Sequence, residues 1–99
     1  MNKSILFGTV IQAPNISQIG NGTKIANYRL QVYKEGKKNK FDKINCTAFG
    51  ADADYAEGNI YEGVQVLITG HLQSNNYTNK HGEKVYTTEV VVESQEIIR

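Results

Sequence analysis

Tyr77, Lys80, Lys84 and Tyr86 crowd one polar stretch, Asn75-Asn76-Tyr77-Thr78-Asn79-Lys80-His81-Gly82-Glu83-Lys84, and the residues just beyond it. Flat aromatic faces beside cationic side chains do non-covalent chemistry. A ring accepts any splayed nucleic-acid base by stacking, and an ammonium group neutralises phosphate. Nothing local would bury these rings. The bland alternative is that the two tyrosines pack on each other or on a neighbouring subunit, where tyrosine is also common.

A second set lies earlier. Arg29, Gln31 and Tyr33 alternate with apolar residues and lead into Lys34-Glu35-Gly36-Lys37-Lys38-Asn39-Lys40, a loop in which four of seven residues are lysine. The chain has 11 basic and 10 acidic residues, a formal net charge of +1, so any electrostatic function must come from such local clustering. Lys34, Lys37, Lys38 and Lys40 suit the tracking of phosphates. As a plain solvated tip they would instead resist edge pairing. Phe41, Lys43 and Phe49 follow on one face of the next strand, a liability unless a ligand or another subunit covers them.

Covalent chemistry is not indicated. His71 and His81 have no cysteine or carboxylate at metal-ligand spacing, so no metal site is expected. Ser4, Ser17, Ser74 and Ser94 lie in no nucleophile motif, and no glycine-rich phosphate loop is present, so neither catalysis, ATP use nor any other cofactor is expected. The lone Cys46 excludes an internal disulfide and reads as a small core hydrophobe, which fits a reducing, cytoplasmic setting. No apolar run is long enough for a signal peptide or a membrane span.

The elements that would position these groups are strands. A chain of 99 residues is long enough for one core and one domain. The first strand, from about Lys3 to Gln12, places Leu6, Gly8 and Val10 on one face and Ile5, Phe7, Thr9 and Ile11 on the other. Both faces are largely apolar, so a second subunit is expected to cover one of them, with Leu6, Gly8 and Thr9 as interface candidates. Gly8 suggests a bulge or bend there, Ala13-Pro14-Asn15 a break, and Ile16 to Gly22 a polar connection. The second strand, Thr23 to Tyr33, turns Ala26, Tyr28, Leu30 and Val32 inward. The third, Phe41 to Phe49, turns Ile44, Cys46 and Ala48 inward and Thr47 outward. Ala53, Ala56 and Ile60 have helical spacing, with Asp52 and Asp54 early, where the helix dipole favours acids. Val64 to Ile97 then reads as one long hairpin, alternating apolar and polar residues on both sides of the polar arm. Three strands, a short helix and a hairpin, with long loops between strands 1 and 2 and strands 4 and 5, describe an all-β, five-stranded OB-fold barrel.

Several stretches then carry a family likeness: Met1-Asn2-Lys3-Ser4-Ile5-Leu6-Phe7-Gly8, Asn21-Gly22-Thr23-Lys24-Ile25-Ala26-Asn27-Tyr28, Ile44-Asn45-Cys46-Thr47-Ala48-Phe49-Gly50, Gly63 to Gln73, and Tyr86-Thr87-Thr88-Glu89-Val90-Val91-Val92. In order and spacing the chain resembles, over nearly its whole length, the bacterial and phage single-stranded DNA-binding proteins. The resemblance implies a homotetramer, built as a pair of dimers, around which single-stranded DNA wraps without sequence reading during replication, recombination or repair. Phe49 matches the family's stacking aromatic of strand 3, and Tyr77 the aromatic at the base of the arm. Lys43 stands where the family usually has another aromatic, and Phe41, two residues earlier on the same face, is the candidate to replace it. Gln73 and Asn75 stand where the family has arginines. The family's glycine-rich linker and acidic tip have no counterpart before Arg99: either the tail was removed, or this is a short form, of the kind a phage or mobile element carries, that does not recruit replication proteins by that route. Two other readings share the fold: a dimeric replication-restart adaptor of the primosome type, and a protein-interaction barrel whose Phe41, Phe49 and Tyr77 meet a protein partner.

Overall fold

The computed structural model describes residues 1–98 and contains five strands and one helix: β1 (Ser4–Gln18), β2 (Lys24–Tyr33), β3 (Phe41–Phe49), α1 (Ala51–Asn59), β4 (Gln65–Thr78) and β5 (Lys84–Ile98). The strands close into a barrel in the order β1-β2-β3-β5-β4, antiparallel except for a short parallel contact of β3 with β5 at Cys46↔Val90 and Thr47↔Val91. This is the OB-fold barrel that the element order predicts. The period-two alternation selects the interior. Val10, Ala26, Tyr28, Leu30, Cys46, Ala48, Val66, Ile68, Val90 and Val92 are all buried, and Ala53, Ala56 and Ile60 seat the helix on the open end of the barrel. The Tyr28 hydroxyl donates to Gln95 Oε1 (2.8 Å), and Gln95 Nε2 donates to the Asp52 carbonyl (3.0 Å), which fixes the helix over the core.

The first strand differs from its expected form. It does not break at Pro14 but runs on to Gln18, and Ile16 to Gln18 pair with Lys24 to Ala26 rather than forming a loop. Register shifts between Val10 and Gln12 and between Gln12 and Asn15 insert extra residues, so the proline falls where the ladder is already interrupted and needs no N–H there. These bulges, not Gly8, bend the strand. Gly8 pairs regularly with Val66, and its role is close approach: a Cβ there would lie 2.5 Å from the Gln31 carbonyl oxygen.

Both long loops expected between strands shrink because the strands lengthen. The β1–β2 connection turns on Gly22 N–H to Ile19 carbonyl (2.7 Å) and Ile19 N–H to Thr23 carbonyl (3.0 Å). The polar arm is mostly strand: Gln73 to Thr78 pair without interruption with Lys84 to Glu89. Its tip closes with Asn79 N–H to Glu83 carbonyl (2.9 Å) and Gly82 N–H to Asn79 carbonyl (3.0 Å). Gly82 has φ 80° there, a value that glycine takes without a Cβ penalty.

Candidate nucleic-acid interface

The β2–β3 ladder sorts the candidates by face. Tyr33↔Phe41, Gln31↔Lys43, Arg29↔Asn45, Asn27↔Thr47 and Ile25↔Phe49 are paired, all with side chains away from the core. Tyr33 and Phe41 contact each other, with ring centroids 4.6 Å apart and planes tilted by 42°. The pair stays open to solvent at one end of the face, and Phe49, 39% exposed, stands at the other. Arg29 Nε donates to Asn45 Oδ1 (3.0 Å) across the middle.

Through Thr47↔Val91 the face continues onto β5, and β4 extends it into the arm. His71↔Val91, Gln73↔Glu89, Asn75↔Thr87 and Tyr77↔Val85 lie on this side. Tyr77, 56% exposed, therefore shares one continuous surface with Phe49, Lys43, Arg29, Tyr33 and Phe41. Tyr86 does not. It pairs with Asn76, so it sits on the opposite side of the ribbon together with Lys84, Thr88 and Leu72. The two tyrosines that the sequence places together are thus separated by the pleat. Lys80 rides on the tip.

The lysine loop between β2 and β3 abuts the Tyr33–Phe41 pair. It is ordered by Lys34 N–H to Lys40 carbonyl (2.9 Å) and Lys37 N–H to Lys34 carbonyl (3.2 Å). Lys37, Lys38 and Lys40 are exposed, and Tyr33, Lys37 and Lys38 help to line a shallow groove beside them. The Lys34 ammonium pairs with Asp42 on β3 at the solvent-exposed base of the loop. Of the three interface candidates, Leu6 packs against the chain's own core and Gly8 is buried, which leaves Thr9 half-buried. The large apolar side chains of β1 that reach solvent are Ile5 and Phe7.

The sequence reading missed the centre of the face. Thr47 faces outward as expected, yet it is buried among polar neighbours; its Oγ1 donates to Glu89 Oε2 (2.6 Å) and lies 2.9 Å from Asn27 Oδ1. Glu89 also accepts from Asn75 Nδ2 (3.0 Å) and Gln73 Nε2 (3.3 Å). Gln73 and Asn75 thus anchor an acidic group within a face otherwise flanked by cations. A sequence pattern gives no sign of this, since it depends on β5 meeting β3. Asp52 and Asp54 lie in the first turn of α1, where the helix dipole favours acids. Lys24 pairs with Asp54 (2.9 Å) and Glu57 (2.7 Å), and the hydrogen bonds to these carboxylates raise its pKa to about 12.

A model of the single-strand binding protein family matches residues 1–98. The chain belongs to that family. A single-stranded DNA-binding protein of Clostridium perfringens (strain 13 / Type A) is 35% identical over 99 residues, covering 99% of this chain and 66% of the relative. Single-stranded DNA-binding protein 1 of Staphylococcus aureus (strain COL) is 30% identical over 103 residues, covering 99% of this chain and 61% of the relative. The chain therefore spans just under two thirds of these relatives' lengths. In this member of the single-strand binding family, Phe49 and Tyr77 fall on the same face of the barrel. Among the described residues no group of acidic, histidine and cysteine side chains could hold a metal ion, and no helix is long and apolar enough to cross a membrane.

Proposed function

We propose that this protein binds single-stranded DNA without reading its sequence, in the service of replication, recombination or repair. The observation that carries this reading is the single outer face on which Tyr33, Phe41, Phe49 and Tyr77 are all exposed, with Arg29 and Lys43 between them and three free lysines at its edge. Each uncovered ring can stack one base at a gain of about 1–3 kcal/mol, whatever the base. Arg29, Lys37, Lys38, Lys40 and Lys43 supply phosphate contacts on this face, with Lys80 at the tip of the arm. Tyr86 and Lys84 meet the strand only where it passes behind the arm. Duplex DNA is excluded in this account because its bases are already stacked. The activity is binding alone, and a soluble cytoplasmic setting suits it.

Self-association belongs to the same proposal. Ser4–Gly8 pair with β4, whereas pairing with β2 begins only at Thr9, so this part of β1 offers an open edge beside the exposed Ile5 and Phe7. A second copy adding there would cover both, and the assembly expected is a homotetramer built from such dimers. The experiment is sedimentation of the free protein followed by titration with single strands. A monomer with exposed Ile5 and Phe7 that still bound strands tightly would remove the assembly and leave the binding.

A further inference from the structure

The arm leaves the barrel at a defined irregularity. Thr69 pairs with Ser94 and Gly70 with Val92, so Glu93 is an extra residue on β5, a bulge that turns both strands outward. The backbones close up at this point: a Cβ on Gly70 would lie 2.1 Å from the Val91 carbonyl oxygen. Beyond the bulge every residue from Leu72 to Thr78 is exposed, and a two-stranded ribbon alone in water is marginally stable and free to twist. Something must set its direction.

Residues 2 and 3 meet the arm at its root. Asn2 Nδ2 donates to the Leu72 carbonyl (2.7 Å), and Leu72 N–H donates to Asn2 Oδ1 (2.9 Å). The side-chain amide thus copies a backbone rung and extends the β1–β4 ladder past its Ser4↔Gly70 end. Lys3 Nζ reaches Glu93 Oε1 (2.7 Å), while His71 Nδ1 lies 2.8 Å from Glu93 Oε2. The bulged residue itself is therefore held from both sides.

We propose that Asn2 and Lys3 form a clasp that aims the arm, making them positioning residues for the strand-binding face although they lie off it. The inference rests on the reading given under Proposed function, because the arm matters through Tyr77. An exposed ion pair is worth little in water, so most of the effect belongs to Asn2, whose single side-chain amide makes both bonds to the Leu72 backbone.

The test uses Asn2→Ala, Tyr77→Ala and the double variant in the full chain, with Lys3→Met as a second disruption of the clasp. Hydrogen exchange is followed through residues 71–78 and 84–93, and affinity for labelled oligo-dT is measured in parallel. Asn2→Ala should speed exchange in the arm and not in β2 or β3. It should weaken oligo-dT binding about two- to tenfold, the worth of one net hydrogen bond, and clearly less once Tyr77 is already alanine, as coupled sites do. Lys3→Met should act in the same direction and less. Unchanged arm exchange would overturn the clasp, as would an equal loss of affinity in the presence and absence of Tyr77. If the parent protein failed to bind oligo-dT, the binding reading would fall while the exchange result would still decide the clasp.

Discussion

Phe49 and Tyr77 each keep a ring face open on the same surface, where each is placed to stack a base. Phe49→Ala and Tyr77→Ala should each weaken oligo-dT affinity by about 1–3 kcal/mol, measured by anisotropy, with no change in thermal midpoint beyond that of a surface substitution. Cys46 is the opposite case. Burial pushes its thiol up to about 12, so it should resist alkylation by iodoacetamide in the folded protein and react only on unfolding. Alternation along the strands was enough to place Cys46, Tyr28 and Val90 inside, because parity is a local property of the chain. Thr47 has the same parity as the solvent-facing residues yet is buried. Its cover comes from Glu89 and Asn27, residues that reach it through strand pairings at long range.

At the scale of elements, the arm shows how much register decides. Tyr77 and Tyr86 look equivalent in the sequence, but pairing with Val85 and Asn76 respectively puts them on opposite faces. Tyr86→Ala should therefore cost less affinity than Tyr77→Ala, and an equal loss measured side by side would mean that the strand embraces both sides of the ribbon. The arm root has a pH signature. Hydrogen bonds from Lys3 and then His71 hold the Glu93 carboxyl below its ordinary value of 4.5. A lowered folded value means that the stabilisation is complete above about pH 4.5 and is lost as pH falls through the lowered value. In urea titrations across that range, Glu93→Gln should lie below the parent at neutral pH and converge with it in acid. Pro14 is where local reading misled: a proline normally ends a strand, but here two bulges have already removed the need for its N–H. At Gly8 the residue was rightly singled out and its reason was not. A Cβ in Gly8→Ala would meet the Gln31 carbonyl oxygen at 2.5 Å, and overpacking of this kind should cost roughly 1–3 kcal/mol in a denaturant melt.

For the whole molecule, a barrel of near-zero net charge gathers exposed cations and rings on one side and leaves Ile5 and Phe7 bare on another strand. The fold was legible because the alternation along the strands, the helical spacing of Ala53 and Ala56 and the order of the elements agreed with one topology, although Pro14 and the turn residues after it suggested a loop where β1 runs on. The candidate site was legible only as residue types. Which of them share a face depends on strand register, and the acidic centre at Glu89 depends on closure of the barrel. Anisotropy of a labelled oligo-dT, titrated with protein of known oligomeric mass at low and moderate salt and with a duplex competitor, decides whether this face binds single strands. Tight binding that duplex does not compete, and that weakens with a logarithmic salt slope of about 0.7 per phosphate contacted, is the expected result. Absence of binding at low salt, or equal affinity for duplex and single strand, would contradict it.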